Sequence, residues 1–151
     1  MKRWSIRPYW FLVALICVAA LPSRADQKQE PLQELRQRAD AASRGDRARL
    51  FGELAHREVE EANTHYSAGE IEKGQMRVQQ AVHDAESATD AAVSSRKRLK
   101  QTEKLMHALS RRLEDVRRSV TVEDRPPIKA AIDRLEQLDR DLLNAMFGTN
   151  E

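Results

Sequence analysis

The chain has a single cysteine, Cys17, and only seven aromatic residues. Four of those seven lie in the first eleven positions. Beyond residue 25 there is no cysteine and no tryptophan, and the rings are Phe51, Tyr66 and Phe147 alone. This excludes a disulfide, a thiolate metal site and a cysteine nucleophile from that region. A core of Ala, Leu, Val and Ile with so few rings suits slender helix packing better than a thick globule. No stretch alternates apolar and polar residues over a useful length, which excludes half-buried strands. Catalytic signatures are missing too: there is no Gly-x-Ser-x-Gly, no His-Glu-x-x-His and no glycine-rich phosphate loop. No enzyme, and no cofactor, is expected.

What is present begins with the N-terminus. Lys2, Arg3 and Arg7 precede an apolar run from Tyr9 to Leu21, broken by Pro22 and followed by Ser23-Arg24-Ala25. This is the layout of a cleavable secretory signal peptide, residues 1–25, cut after Ala25. The alternative is an uncleaved membrane anchor, but a spanning helix needs about 20 apolar residues and this run is shorter. Ile16 before Cys17 does not fit a lipoprotein signal. The expected location is therefore exported, periplasmic or extracellular. The segment holds four of the 26 basic residues and none of the 24 acids, so the remaining 126 residues carry a formal charge of −2. The basic character of the whole chain is a property of this segment.

Residues 26–148 read as a single all-helical domain followed by a short tail, 149–151. The first helix is expected over about 31–43, starting at Pro31, with Gly45 in a left-handed cap. The second, about 46–67, would be capped by Asp46 and carries an apolar stripe from Ala48 to Tyr66. Gly52 inside it suggests a close backbone contact. From Ile71 a heptad seam runs without proline or register slip to Val120. Positions a are Ile71, Val78, Ala85, Ala92, Leu99, Met106, Leu113 and Val120. The reading is one long helix, about 70–119, with Ser94-Ser95 as the place where it would bend. Pro126-Pro127 opens a last helix, about 126–147. The fold expected is all-α: elongated antiparallel hairpins bundled around one long central helix, about 70–120. The seam would be closed by the second helix or by a second copy of the chain, as a homodimer.

Tyr66, Gly69-Glu70-Ile71, Gly74, Val78 and Ala81-Val82 stand at the offsets of a helical hairpin turn. Residues 55–86 resemble a single degenerate tetratricopeptide-like hairpin, a unit used for protein–protein contact. The resemblance implies a hairpin between the second and third helices and a partner-binding role by analogy.

Three local patterns could carry chemistry. Glu53 and His56 have the Glu-x-x-His spacing of a di-iron bundle, but the second motif such a site needs is missing, so no metal is expected there. Glu61 with His65, and Glu103 with His107, are four apart and could each share a helix face. Paired acids such as Glu60-Glu61 and Asp139 with Asp141 read as solvated faces. The third pattern is basic: Ser94 to Val120 holds nine Lys or Arg against three acids. Lys97, Lys104, Arg111 and Arg118 fall at heptad position f, opposite the seam, and form a candidate interaction stripe. Arg96, Arg98, Arg112 and Arg117 flank the seam, where pairing with Asp139 and Asp141 is expected. Export disfavours nucleic acid as the partner. The expectation is a non-enzymatic cell-envelope scaffold or adaptor that binds a protein, or an anionic envelope surface, through helix faces. A small periplasmic chaperone or stress-response protein is the alternative, and a metal- or haem-binding helical bundle a second.

Overall fold

The computed structural model describes residues 30–148. The signal peptide, its cleavage after Ala25 and the tail 149–151 lie outside the described residues. Five helices and their short connections make up the described residues: α1 Leu32–Ala41, α2 Arg44–Ser67, α3 Ile71–Ser95, α4 Leu99–Ser119 and α5 Arg125–Phe147. Among the described residues there is no strand. None of these helices is long and apolar enough to cross a membrane.

The long central helix is not formed. The chain leaves the helical path after Ser95, and both Arg96 (φ 54°) and Arg98 (φ 61°) adopt the left-handed conformation. A continuous helix would carry Leu105 about 15 Å and Arg112 about 25 Å past Ser95 at ~1.5 Å per residue. Instead Leu105 lies against Gly52, and Arg112 binds Glu60 at 2.8 Å. Both partners belong to α2, as does Asp46, which Arg98 approaches at 4.0 Å. Residue numbers on α2 and α4 rise together, so these helices are parallel. On α3 the order is opposite: Glu58 meets Arg77, and Tyr66 covers Gly74. The chain therefore reverses at residues 96–98, and α4 returns alongside α2. Two left-handed arginines cost about 1–2 kcal/mol each. The reversal closes an up-down-up-down bundle of α2, α3, α4 and α5, with α1 on its flank.

The heptad seam is consumed within the chain. One core joins Val59, Val78, Ala85, Met106, Leu113, Ile128, Leu135 and Leu142, all at most 2 % exposed, from all four bundle helices. The alanine seam of α3 packs mainly on α2, and the leucine seam of α4 mainly on α5. A second cluster seats Leu35 and Ala39 of α1 on Leu50, Phe51 and Leu54 of α2 and Ala88 of α3.

Turn chemistry departs from expectation at one place and agrees at another. Gly45 is not a left-handed cap, and Asp46 is not an N-cap. Ala42 and Ser43 are extended, and α2 starts at Arg44, so both residues fall in its first turn. Asp46 there suits the positive end of the helix dipole. Gly45 gives room to the Lys97 stem, whose Cδ would sit 3.1 Å from an added Cβ. The α2–α3 turn is a Schellman motif: the Glu70 N–H donates to the His65 carbonyl at 2.9 Å, and the Gly69 N–H to Tyr66 at 3.0 Å. Gly69 takes φ +77°, which a side chain would strain. The expected hairpin between residues 55 and 86 is formed there, in helices of 24 and 25 residues. Gly74 is required by contact, since a Cβ would lie 2.9 Å from the Tyr66 ring.

Candidate functional site

Two faces of the bundle carry charged side chains in organised form. The first is buried between α1, α2 and α3. Arg36 of α1 donates from both terminal nitrogens to Asp84 of α3, at 2.6 and 2.8 Å. It also reaches Glu58 of α2 at 3.4 Å. Arg77 donates to the other oxygen of Glu58 at 2.9 Å and pairs Glu61 at 3.0 Å. Asp84 and Glu58 are 0 % and 2 % exposed. Burial pushes the Glu58 carboxyl above its usual range, against the lowering effect of Arg77. Sequence reading missed this network, because each member is ordinary on its own helix. A signal did exist: Glu58 is one residue from Val59, and Asp84 adjoins seam residue Ala85, inside the buried arcs.

The second is the exposed face of α4. Lys104, Arg111 and Arg118 lie exposed along it, as expected from the f positions. Lys97 does not join them, because it sits in the reversal with its stem over Gly45. Lys100, which the heptad frame did not select, takes its place one turn before Lys104 on the exposed face. Arg118 is engaged by Glu114 at 3.5 Å and Asp115 at 3.9 Å. Among the described residues no carboxylate oxygen lies within 4 Å of the charged nitrogens of Lys100, Lys104 or Arg111, while arginines elsewhere are widely paired.

The flanking arginines do not pair with Asp139 and Asp141. Arg112 reaches Glu60 of α2 in a two-bond fork of 2.8 Å each, and Arg117 turns back to Glu114 on its own helix. The reason is the reversal, which brings α2 within reach of α4. The Arg112 guanidinium holds Glu60 below the usual carboxylate range.

The histidine pairs separate in the same way. Glu53 accepts from Arg57 at 2.5 Å and faces Arg49 at 3.7 Å, while His56 is exposed. Both line a cleft of about 260 Å³ between α2 and α4, and no third ligand joins them among the described residues. Glu61 is taken by Arg77 and His65 by Glu70, so that helical pair does not form. Glu103 and His107 do pair, at 3.2 Å, and Asp139 of α5 comes within 3.5 Å of the same ring nitrogen. Asp139 is only 13 % exposed, so it is not part of a solvated face.

Comparison with protein-family models, with curated proteins and with solved structures finds no match for this chain.

Proposed function

We propose that this chain is an exported, non-enzymatic helical protein of the cell envelope, a scaffold or adaptor that works by contact through a helix face. The observation that carries this reading is the outer face of α4, where Lys100, Lys104 and Arg111 stand exposed with no ion-pair partner within 4 Å among the described residues. Desolvated or solvated, an unpaired cationic row of this kind attracts an anionic partner and accelerates its encounter. The apolar seam is occupied within the chain, α3 packing on α2 and α4 on α5, so it offers no face to a partner helix. Contact through the α4 face is then polar, with short apolar stems of Lys and Arg beneath the charges. An acidic protein surface fits best, and an anionic envelope polymer or lipid headgroup has the same charge chemistry.

A photo-crosslinking residue in place of exposed Ala108, between Lys104 and Arg111, tests this in intact cells. It should trap a protein that the same residue at exposed Ala130 of α5 does not. Reversing Lys100, Lys104 and Arg111 to glutamate should abolish the product while circular dichroism stays unchanged. Persistence of the product after charge reversal would remove the stripe from the mechanism. N-terminal sequencing of the exported fraction should begin at Asp26; a full-length chain in the membrane fraction would overturn the processing half of the proposal.

A further inference from the structure

Glu103 and His107, one turn apart on α4, meet Asp139 of α5 so that one ligand atom from each lies within 4.8 Å of the others. The His107 Nε2 is 3.2 Å from Glu103 Oε1 and 3.5 Å from Asp139 Oδ2. Glu103 and Asp139 are 18 % and 13 % exposed, whereas His107 is 58 % exposed. The hydrogen-bond inventory does not balance. Two carboxylates converge on one ring nitrogen, which in a neutral imidazole carries at most one hydrogen. The second oxygen of Asp139, Oδ1, is buried and has no hydrogen-bond partner among the described residues. Largely desolvated carboxylates with too few donors are costly, and a bound cation would offset that cost.

The spacing agrees with such an ion. Metal–ligand bonds of about 2.0–2.1 Å place neighbouring ligand atoms of a tetrahedral site roughly 3.3 Å apart. The two separations from Nε2, 3.2 and 3.5 Å, bracket that value. One imidazole with two carboxylates is a donor set for a divalent transition ion such as zinc. The geometry points to a zinc-type site made by Glu103, His107 and Asp139, joining α4 to α5, with its remaining coordination open to solvent on the exposed His107 side. The site opens into a cleft of about 460 Å³ that Glu114, Glu136, Arg111 and Arg140 also line. Zinc binding here is independent of whether the α4 stripe has a partner, and its test does not use one.

The experiment is zinc titration of the full chain carrying Cys17→Ser, which removes its sole thiol, followed by calorimetry and thermal melting. One equivalent of zinc should bind and raise the melting temperature. His107→Ala should lose that equivalent or weaken it at least about tenfold, as should Asp139→Asn. His56→Ala should leave both readouts unchanged. His107 is largely exposed, so its replacement keeps the fold, which circular dichroism verifies; the outcome therefore does not depend on whether Asp139→Asn folds. Cobalt substitution should give the visible absorption of a nitrogen- and oxygen-ligated tetrahedral ion, lost in His107→Ala. Equal zinc binding by His107→Ala and the parent overturns the site, and so does loss of the equivalent in His56→Ala.

Discussion

The two hairpins of the bundle are built on different principles. In α2–α3 the seam is small: Ala55, Ala62, Ala81, Ala85 and Ala92 are buried, and Gly74 lies beneath the Tyr66 ring. In α4–α5 it is large: Met106, Leu109, Leu113, Leu135, Leu138 and Leu142 fill the space. Small residues allow close backbones and gain less from apolar burial, since each CH₂ contributes about 0.8 kcal/mol. The α2–α3 half adds a buried charge network and a covering helix, α1. The α4–α5 half leans on side-chain volume and keeps its charges near the surface. The lesson is that one heptad pattern supports two packing solutions, chosen by side-chain size.

Truncation should therefore injure the second hairpin most. Leu113→Ala, at a fully buried position, should cost about 3–4 kcal/mol in urea unfolding. A cost under about 1 kcal/mol would mean that the leucine seam is not the source of stability claimed for it.

Breaking the charge network tests the first hairpin. Arg36→Ala leaves Asp84 buried without its two-bond partner. A loss of about 2–3 kcal/mol is expected, below the usual range for a buried pair because Arg36 is 30 % exposed. Amide exchange should quicken throughout α1, with α4 and α5 protected as before. Uniform exchange in all helices would show that α1 is not a separately held element.

Enlargement should injure the alanine half where truncation injures the other. Gly74→Ala gains about 1 kcal/mol of helix propensity but drives a methyl into the Tyr66 ring. Overpacking of this kind costs about 1–3 kcal/mol, so a net loss of roughly 1 kcal/mol is expected. Combining it with Tyr66→Leu should recover part of that loss; no recovery would locate the clash elsewhere.

The smallest effects concern pH and have opposite signs for two neighbours on α2. Glu60, facing Arg112, has a lowered pKa. Its contribution is present above the ordinary carboxylate value and is lost as pH falls through the lowered folded value. Glu60→Gln should cost no more than about 1 kcal/mol at pH 7, because both partners are well exposed, and should converge with the parent in acid. Glu58, buried, has a raised pKa. Its folded state binds the proton more tightly, so stability falls as pH rises from the ordinary value through the raised one. The parent's advantage over Glu58→Gln should shrink over that window. Parallel pH curves for the two variants would contradict the assignment of α2's two faces.

Much of this was legible beforehand. The positions of the seam, the Pro31 and Pro126-Pro127 helix starts and the Gly69 turn follow from local residue chemistry. The place of the break, at Ser94-Ser95, was legible as a bend, but the full reversal at 96–98 was not, because the heptad phase continues across it, from Ala92 to Leu99, and arginines rather than glycine or proline occupy the left-handed positions. Likewise the Glu103–His107 pair could be read from its spacing, but Asp139 could not be joined to it.

The division has one physical origin. Apolar periodicity, caps and turn residues act within a few positions of each other, so the sequence by itself determined that the chain is helical, which face of each helix is buried and where most helices begin. What each face meets depends on the direction of the chain after residue 95. That is decided by the burial of four seams in one core against the strain of two left-handed arginines. Only the tertiary structure could therefore bring Arg36 to Asp84, Arg112 to Glu60 and Asp139 to His107, contacts between residues that lie 48, 52 and, for the last, 32 positions apart.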